Sequence, residues 1–166
     1  MVPGEDHEQG PPTKEENVMK KSGPLLTMKG RCDLNARTRV LLWDGKYTTG
    51  YRVVDFVITP SQPVGTYEYQ AKLDTSPPGS SFTGALWNWT SNTEIGWAVW
   101  GVPSNNQVNQ NTFIDLENMV IEDLFIELYA STDIGAANYM ITLQKYEFAA
   151  YDGAAFLVAN QSQAVN

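Results

Sequence analysis

From residue 67 to residue 73 the side chains alternate without a break. Tyr67, Tyr69, Ala71 and Leu73 are apolar, and Glu68, Gln70 and Lys72 between them are polar. A period of two puts one set on each side of an extended backbone, so this segment reads as a half-buried antiparallel strand. Residues 25–32 and 37–43 are further candidate strands. Asp44-Gly45 then tolerates φ > 0 at both positions, which predicts a tight hairpin from Trp43 to Lys46. The returning strand runs through Tyr51, Val53, Val54, Phe56 and Ile58, until Pro60 and Pro63 stop it.

Residues 95–100 form the next strand, with Ile95, Trp97 and Val99 on one face. In the run 119–130, Val120, Leu124, Ile126 and Leu128 face a core, with Asp123, Glu127 and Tyr129 opposite. After a turn at 132–136, residues 138–148 pair back with Tyr139, Ile141 and Leu143 inward. Helical periodicity is missing until the end of the chain. There Asp152 predicts a cap for a helix over 153–161, packed through Ala154, Ala155, Leu157 and Val158.

Two long polar stretches, 77–81 and 103–111, read as loops. Short strands, polar loops and a single terminal helix predict an all-β fold. The expected form is a jelly-roll-like antiparallel β-sandwich of about seven or eight strands. It would span residues 24–166. Residues 1–23 hold Pro3, Gly4, Gly10, Pro11, Pro12 and Gly23 among charges, with Val2, Val18 and Met19 as the strongly apolar side chains. Such a segment buries too little to offset its ordering entropy, and it reads as an extended N-terminal arm that a neighbouring chain must hold.

Charge narrows the partners. The net charge of −8 over 166 residues argues against nucleic acid, whose phosphates call for a surplus of Lys and Arg, and against an anionic membrane surface. Nothing approaches the run of about 18 apolar residues that a spanning helix needs. The opening residues lack the apolar core of a signal peptide, which predicts synthesis in the cytoplasm of a host cell. Asn88-Trp89-Thr90 and Asn160-Gln161-Ser162 are accordingly not read as glycosylation sites. The single cysteine, Cys32, reads as a buried thiol.

The charge is also unevenly spread. Lys29, Arg31, Arg37, Arg39, Lys46 and Arg52 crowd one stretch, whereas no Lys or Arg stands between Lys72 and Lys145. Complementary patches of this kind favour docking between identical copies, with Arg31, Arg37 and Arg39 as subunit contacts. Trp87, Trp89 and Trp100, beside Asn88, Asn92 and Asn105, are candidate surface aromatics for a protein contact or a sugar ring. Asp115, Glu117, Glu122, Asp123, Glu127 and Asp133 read as a solvated acidic face, because adjacent strand residues point apart and no calcium-loop spacing occurs. With no phosphate loop, nucleophile elbow or metal-spaced His and Cys set, no catalytic residue, cofactor or metal is assigned, and the chain reads as a non-enzyme.

Two stretches carry a resemblance. Asp115-Leu116-Glu117-Asn118-Met119-Val120-Ile121-Glu122-Asp123-Leu124-Phe125-Ile126 and Ala137-Asn138-Tyr139-Met140-Ile141-Thr142-Leu143-Gln144-Lys145-Tyr146 resemble small β-sandwich virion proteins of tailed bacteriophages, those of aquatic phages in particular. The resemblance covers the C-terminal third as a strand-turn-strand-helix pattern and brings no catalytic motif. It implies a capsid decoration or minor coat protein in the virion, with identical copies and a shell protein as partners. A carbohydrate-binding module or lectin-like sandwich, meeting a host glycan through the tryptophans, is the alternative expectation.

Overall fold

The computed structural model describes residues 19–62, 68–76, 87–102, 107–131 and 135–162. Its strands are β1 (Lys20–Lys21), β2 (Leu26–Cys32), β3 (Arg37–Val40), β4 (Thr49–Pro60), β5 (Glu68–Asp74), β6 (Glu94–Gly101), β7 (Asn109–Ile114), β8 (Leu124–Ala130) and β9 (Ala137–Glu147). One helix follows, α1 (Ala150–Ser162). The expected loop tips at 77–81, Pro103 and 132–134, the strand-stopping Pro63, and Tyr67 at the head of the alternating run lie outside the described residues, as do residues 1–18 of the arm.

The strands form two antiparallel sheets. In the first, β9 is central, with β4 on one side and β2 and β1 on the other. The second has the order β3-β8-β5-β6-β7. The sheets face each other across one core, in which Val53, Phe56, Ile58, Ile141 and Leu143 meet Tyr69, Leu73, Leu124, Ile126 and Leu128. This is an all-β sandwich, and its winding is jelly-roll-like. The nested pairs β2 with β9, β3 with β8 and β5 with β6 are those of a long ribbon folded over on itself. Strand β7 departs from that scheme by pairing with β6 instead of β4. It still reaches β4 at one point, where the Thr112 hydroxyl donates to the Phe56 carbonyl at 2.8 Å.

Five local expectations need correction. The chain bends at Asp44-Gly45, with Gly45 at φ 83° and the Lys46 N–H donating to Asp44 at 3.0 Å, but Asp44 does not take a positive φ and no hairpin is joined. Strand β3 ends at Val40 because the Asp123 carboxylate takes the N–H groups of Leu42 and Trp43 at 2.8 and 3.0 Å. The chain then crosses to the other sheet as β4. Strand β6 does not keep Ile95, Trp97 and Val99 on one face. A bulge at Ile95 shifts the register between Leu73 and Asp74, so Ala98 and Trp100 join Ile95 in the core and Trp97 turns outward.

The Asn- and Gln-rich stretch expected as loop to residue 111 already enters β7 at Asn109. In α1 the packing face is not Ala154, Ala155 and Val158. Gly153 lies against the backbone at Tyr47, where an added Cβ would sit 1.9 Å from the carbonyl oxygen. Phe156 meets Phe148 edge-on at 5.5 Å. The expected arm boundary at Gly23 also has structure beyond it. β1 lies on β9, Met19 packs beside Tyr146 and Phe148, and the Ser22 N–H donates to the Lys145 carbonyl.

Candidate functional site

The outward face of the five-stranded sheet holds the chemically active side chains. Register alone sets a row across it: Arg37 on β3, Glu127 on β8, Lys72 on β5, Trp97 on β6 and Phe113 on β7. Three of its five members are ionic. Arg37 Nη1 lies 3.1 Å from Glu127 and 3.8 Å from Asp74, and Lys72 Nζ lies 2.8 Å from Glu94 and 3.5 Å from Glu127. Arg37 also donates to the Ser76 carbonyl at 3.0 Å, and its guanidinium sits 4.1 Å above the centre of the Phe125 ring.

Lys72 is 2% exposed. Burying an ammonium is costly unless carboxylates and hydrogen bonds compensate it, and Glu94 and Glu127 supply that compensation. Arg37, with a side chain 10% exposed, is therefore turned into the molecule instead of offering a free charge to a neighbour. Arg39 is more open, yet its Nε donates to Asp123 at 2.7 Å. The basic and acidic stretches of the sequence meet largely within one molecule, across the β3–β8 and β8–β5 ladders.

Asp123 and Glu127 are accordingly buried and paired, and do not belong to a solvated acidic face. Asp133 lies outside the described residues. Desolvation pushes the Asp123 pKa upward, but the N–H groups of Trp43 and Leu42 and the Arg39 guanidinium outweigh it and hold the carboxyl below the usual aspartate range. Burial pushes the Cys32 thiol up to about 12, so at neutral pH it carries none of the thiolate character a nucleophile needs. Among the described residues no three His, Cys, Asp or Glu side chains converge as a metal-binding set.

Arg31 has a different setting. It is exposed on β2, across from Asn138 of β9, and lies with Lys29, Val57, Thr59 and Met140 around a shallow depression on the outer face of the first sheet. The three arginines are thus not brought together. Arg37 and Arg39 serve the second sheet internally, and Arg31 faces solvent on the first.

The three tryptophans separate as well. Trp100 is not a surface aromatic. It is 8% exposed and packs 6.4 Å from Tyr69 in the core, because the Ile95 bulge reverses the face of the strand. Trp87 is half-buried. Trp89 is 63% exposed, with its ring centre 5.5 Å from Trp97 and 5.7 Å from Phe113. Its loop is pinned from below by Glu94, whose Oε2 accepts the Asn88 N–H at 2.7 Å and the Trp97 Nε1–H at 3.1 Å.

Phe113 and its strand neighbours Asn109 and Asn111 belong to this patch and were not singled out from the sequence. Their signal is the alternation Asn109, Asn111, Phe113 against Gln110, Thr112, Ile114, which amide-rich composition hid.

The chain matches no protein-family model, and no curated protein is significantly similar to it. Function is therefore read from the surfaces described above.

Proposed function

We propose that this chain is a non-enzymatic structural protein of a bacteriophage particle, a capsid decoration or minor coat protein. It would be made in the host cytoplasm and dock onto identical copies and a shell protein. The observation that carries the reading is helix α1, which is apolar on both sides. Its packed side uses Gly153 and Phe156. Its solvent side is a stripe of Tyr151, Ala154, Ala155, Val158 and Ala159, with Tyr151 81% exposed. A surface helix normally turns a polar face to water, and a helix that is apolar all round is one that a neighbour covers.

Two further features support assembly. The shallow face at Lys29 and Arg31 combines exposed positive charge with the apolar surface of Val57 and Met140, a mix suited to an acidic partner surface. The arm enters the sandwich as β1, at the edge of β9, where a preceding segment can continue onto a neighbour. The charged groups that could serve catalysis are largely committed to one another in the Arg37–Glu127–Lys72–Glu94 network, which supports a non-catalytic role.

The test is incorporation into particles. Phage carrying Val158→Asp, Arg31→Glu or a deletion of residues 1–18 should yield a soluble sandwich with unchanged far-ultraviolet circular dichroism that is depleted from purified virions. Undiminished incorporation of all three variants, or absence of the native chain from virions, would overturn the reading.

A further inference from the structure

We infer that the patch formed by Trp89, Phe113, Asn109 and Asn111 is a binding site for a neutral carbohydrate, with a pyranose ring lying on the aromatic surface. The inference is independent of the assembly role. Two large aromatic side chains stand in solvent here, Trp89 at 63% and Phe113 at 46% exposure. Ordinary packing would draw such rings inward.

They are also held in place. Trp89 rests on Trp97, and Trp97 is fixed in turn by its hydrogen bond to Glu94. The Asn88 side chain closes its own turn by accepting the Thr90 N–H at 3.1 Å and the Thr90 hydroxyl at 2.7 Å. A platform ordered before the ligand arrives avoids most of the entropy cost of ordering it on binding.

The polar groups beside the rings select the ligand. Asn109, Asn111 and Phe113 share one face of β7, and Asn111 donates to Asn109 at 3.1 Å. Each amide carries both donors and acceptors, so the pair keeps free groups of both kinds for a ligand. Hydroxyls, which also donate and accept, are their natural complement. The four residues that form the patch are uncharged. Beneath them Lys72 and Glu94 are buried and paired. A neutral polyhydroxylated ring satisfies both the apolar faces and the amides, whereas a polyanion such as a nucleic acid would find no cation among these four residues.

The experiment is a glycan array probed with the full chain, followed by tryptophan fluorescence titration with neutral hexasaccharides of glucose, N-acetylglucosamine and mannose. Saturable quenching is expected with at least one of them. Trp89→Ala and Phe113→Ala should weaken it about tenfold or more, with Trp89→Phe retaining most of the affinity. Trp43→Ala, which alters an exposed ring outside the patch, should bind like the native chain. A blank array with flat titrations, affinity that survives Trp89→Ala, or crosslinks placing a protein subunit on this patch would overturn the inference. The array, titration and variant results do not bear on incorporation into particles, whereas a subunit crosslinked here would add this face to the assembly surfaces.

Discussion

At the scale of single residues, Asp123 does the most with one side chain. Its carboxylate ends β3 by accepting two backbone N–H groups and pairs with Arg39. Replacing it with alanine leaves those two donors without their acceptor, and Asp123→Ala should cost about 2–4 kcal/mol in urea denaturation. The pH dependence has a definite sign. Because the folded carboxyl is held below its ordinary value, its contribution is present above the unfolded pKa of about 4 and is lost as pH falls through the folded value. Asp123→Asn keeps an oxygen for the N–H groups but cannot titrate. It should therefore show a shallower loss of stability below about pH 4 than the native protein.

Among the elements, α1 depends on a residue that helix propensity disfavours. Gly153 costs about 1 kcal/mol relative to alanine in a helix interior. It is nonetheless required, because the helix comes so close to the Tyr47 carbonyl that a methyl group cannot fit. Gly153→Ala should thus destabilise the fold by about 1–3 kcal/mol despite its better propensity. Ala155→Ser, on the open side, should change stability by less than about 0.5 kcal/mol. Thermal or urea unfolding followed by fluorescence separates the two. The same close approach explains why the packing face was misread from sequence. The alanines and Val158 have the composition of a buried stripe, but the residue that permits contact is the one with no side chain.

Across the whole molecule, the ionic row joins four strands that are far apart in sequence: β3, β5, β6 and β8. Jelly-roll winding sets the short β3 beside the penultimate strand β8, so the basic stretch around residue 37 meets the acidic stretch around residue 127. Removing the central cation leaves two buried carboxylates facing each other. Lys72→Met should therefore cost about 3–5 kcal/mol, whereas Lys20→Met on the exposed β1 should cost little. Replacing Lys72, Glu94 and Glu127 together by apolar residues of similar volume should cost less than Lys72→Met alone, since no unpaired charge remains. Chemical denaturation of the three variants checks this ordering.

Much of the sandwich is written locally. The alternation in β5, the inward set Tyr139, Ile141 and Leu143 of β9, and the core residues Val120, Leu124, Ile126 and Leu128 follow from a period of two; that Lys72 and Asp74 on the other face of β5 are buried as well does not. The aromatic candidate Trp89 was legible as well, because it stands in a polar turn. The partners of a charge and the face of a strand after a bulge were decided by tertiary structure. One inserted residue at Ile95 sends Trp100 into the core and Trp97 outward, and nothing within β6 announces it. The meeting of Arg37 with Glu127 likewise depends on which strands become neighbours. Local patterning fixes which side chains must be hidden from water, but only the folded topology fixes what they are hidden against.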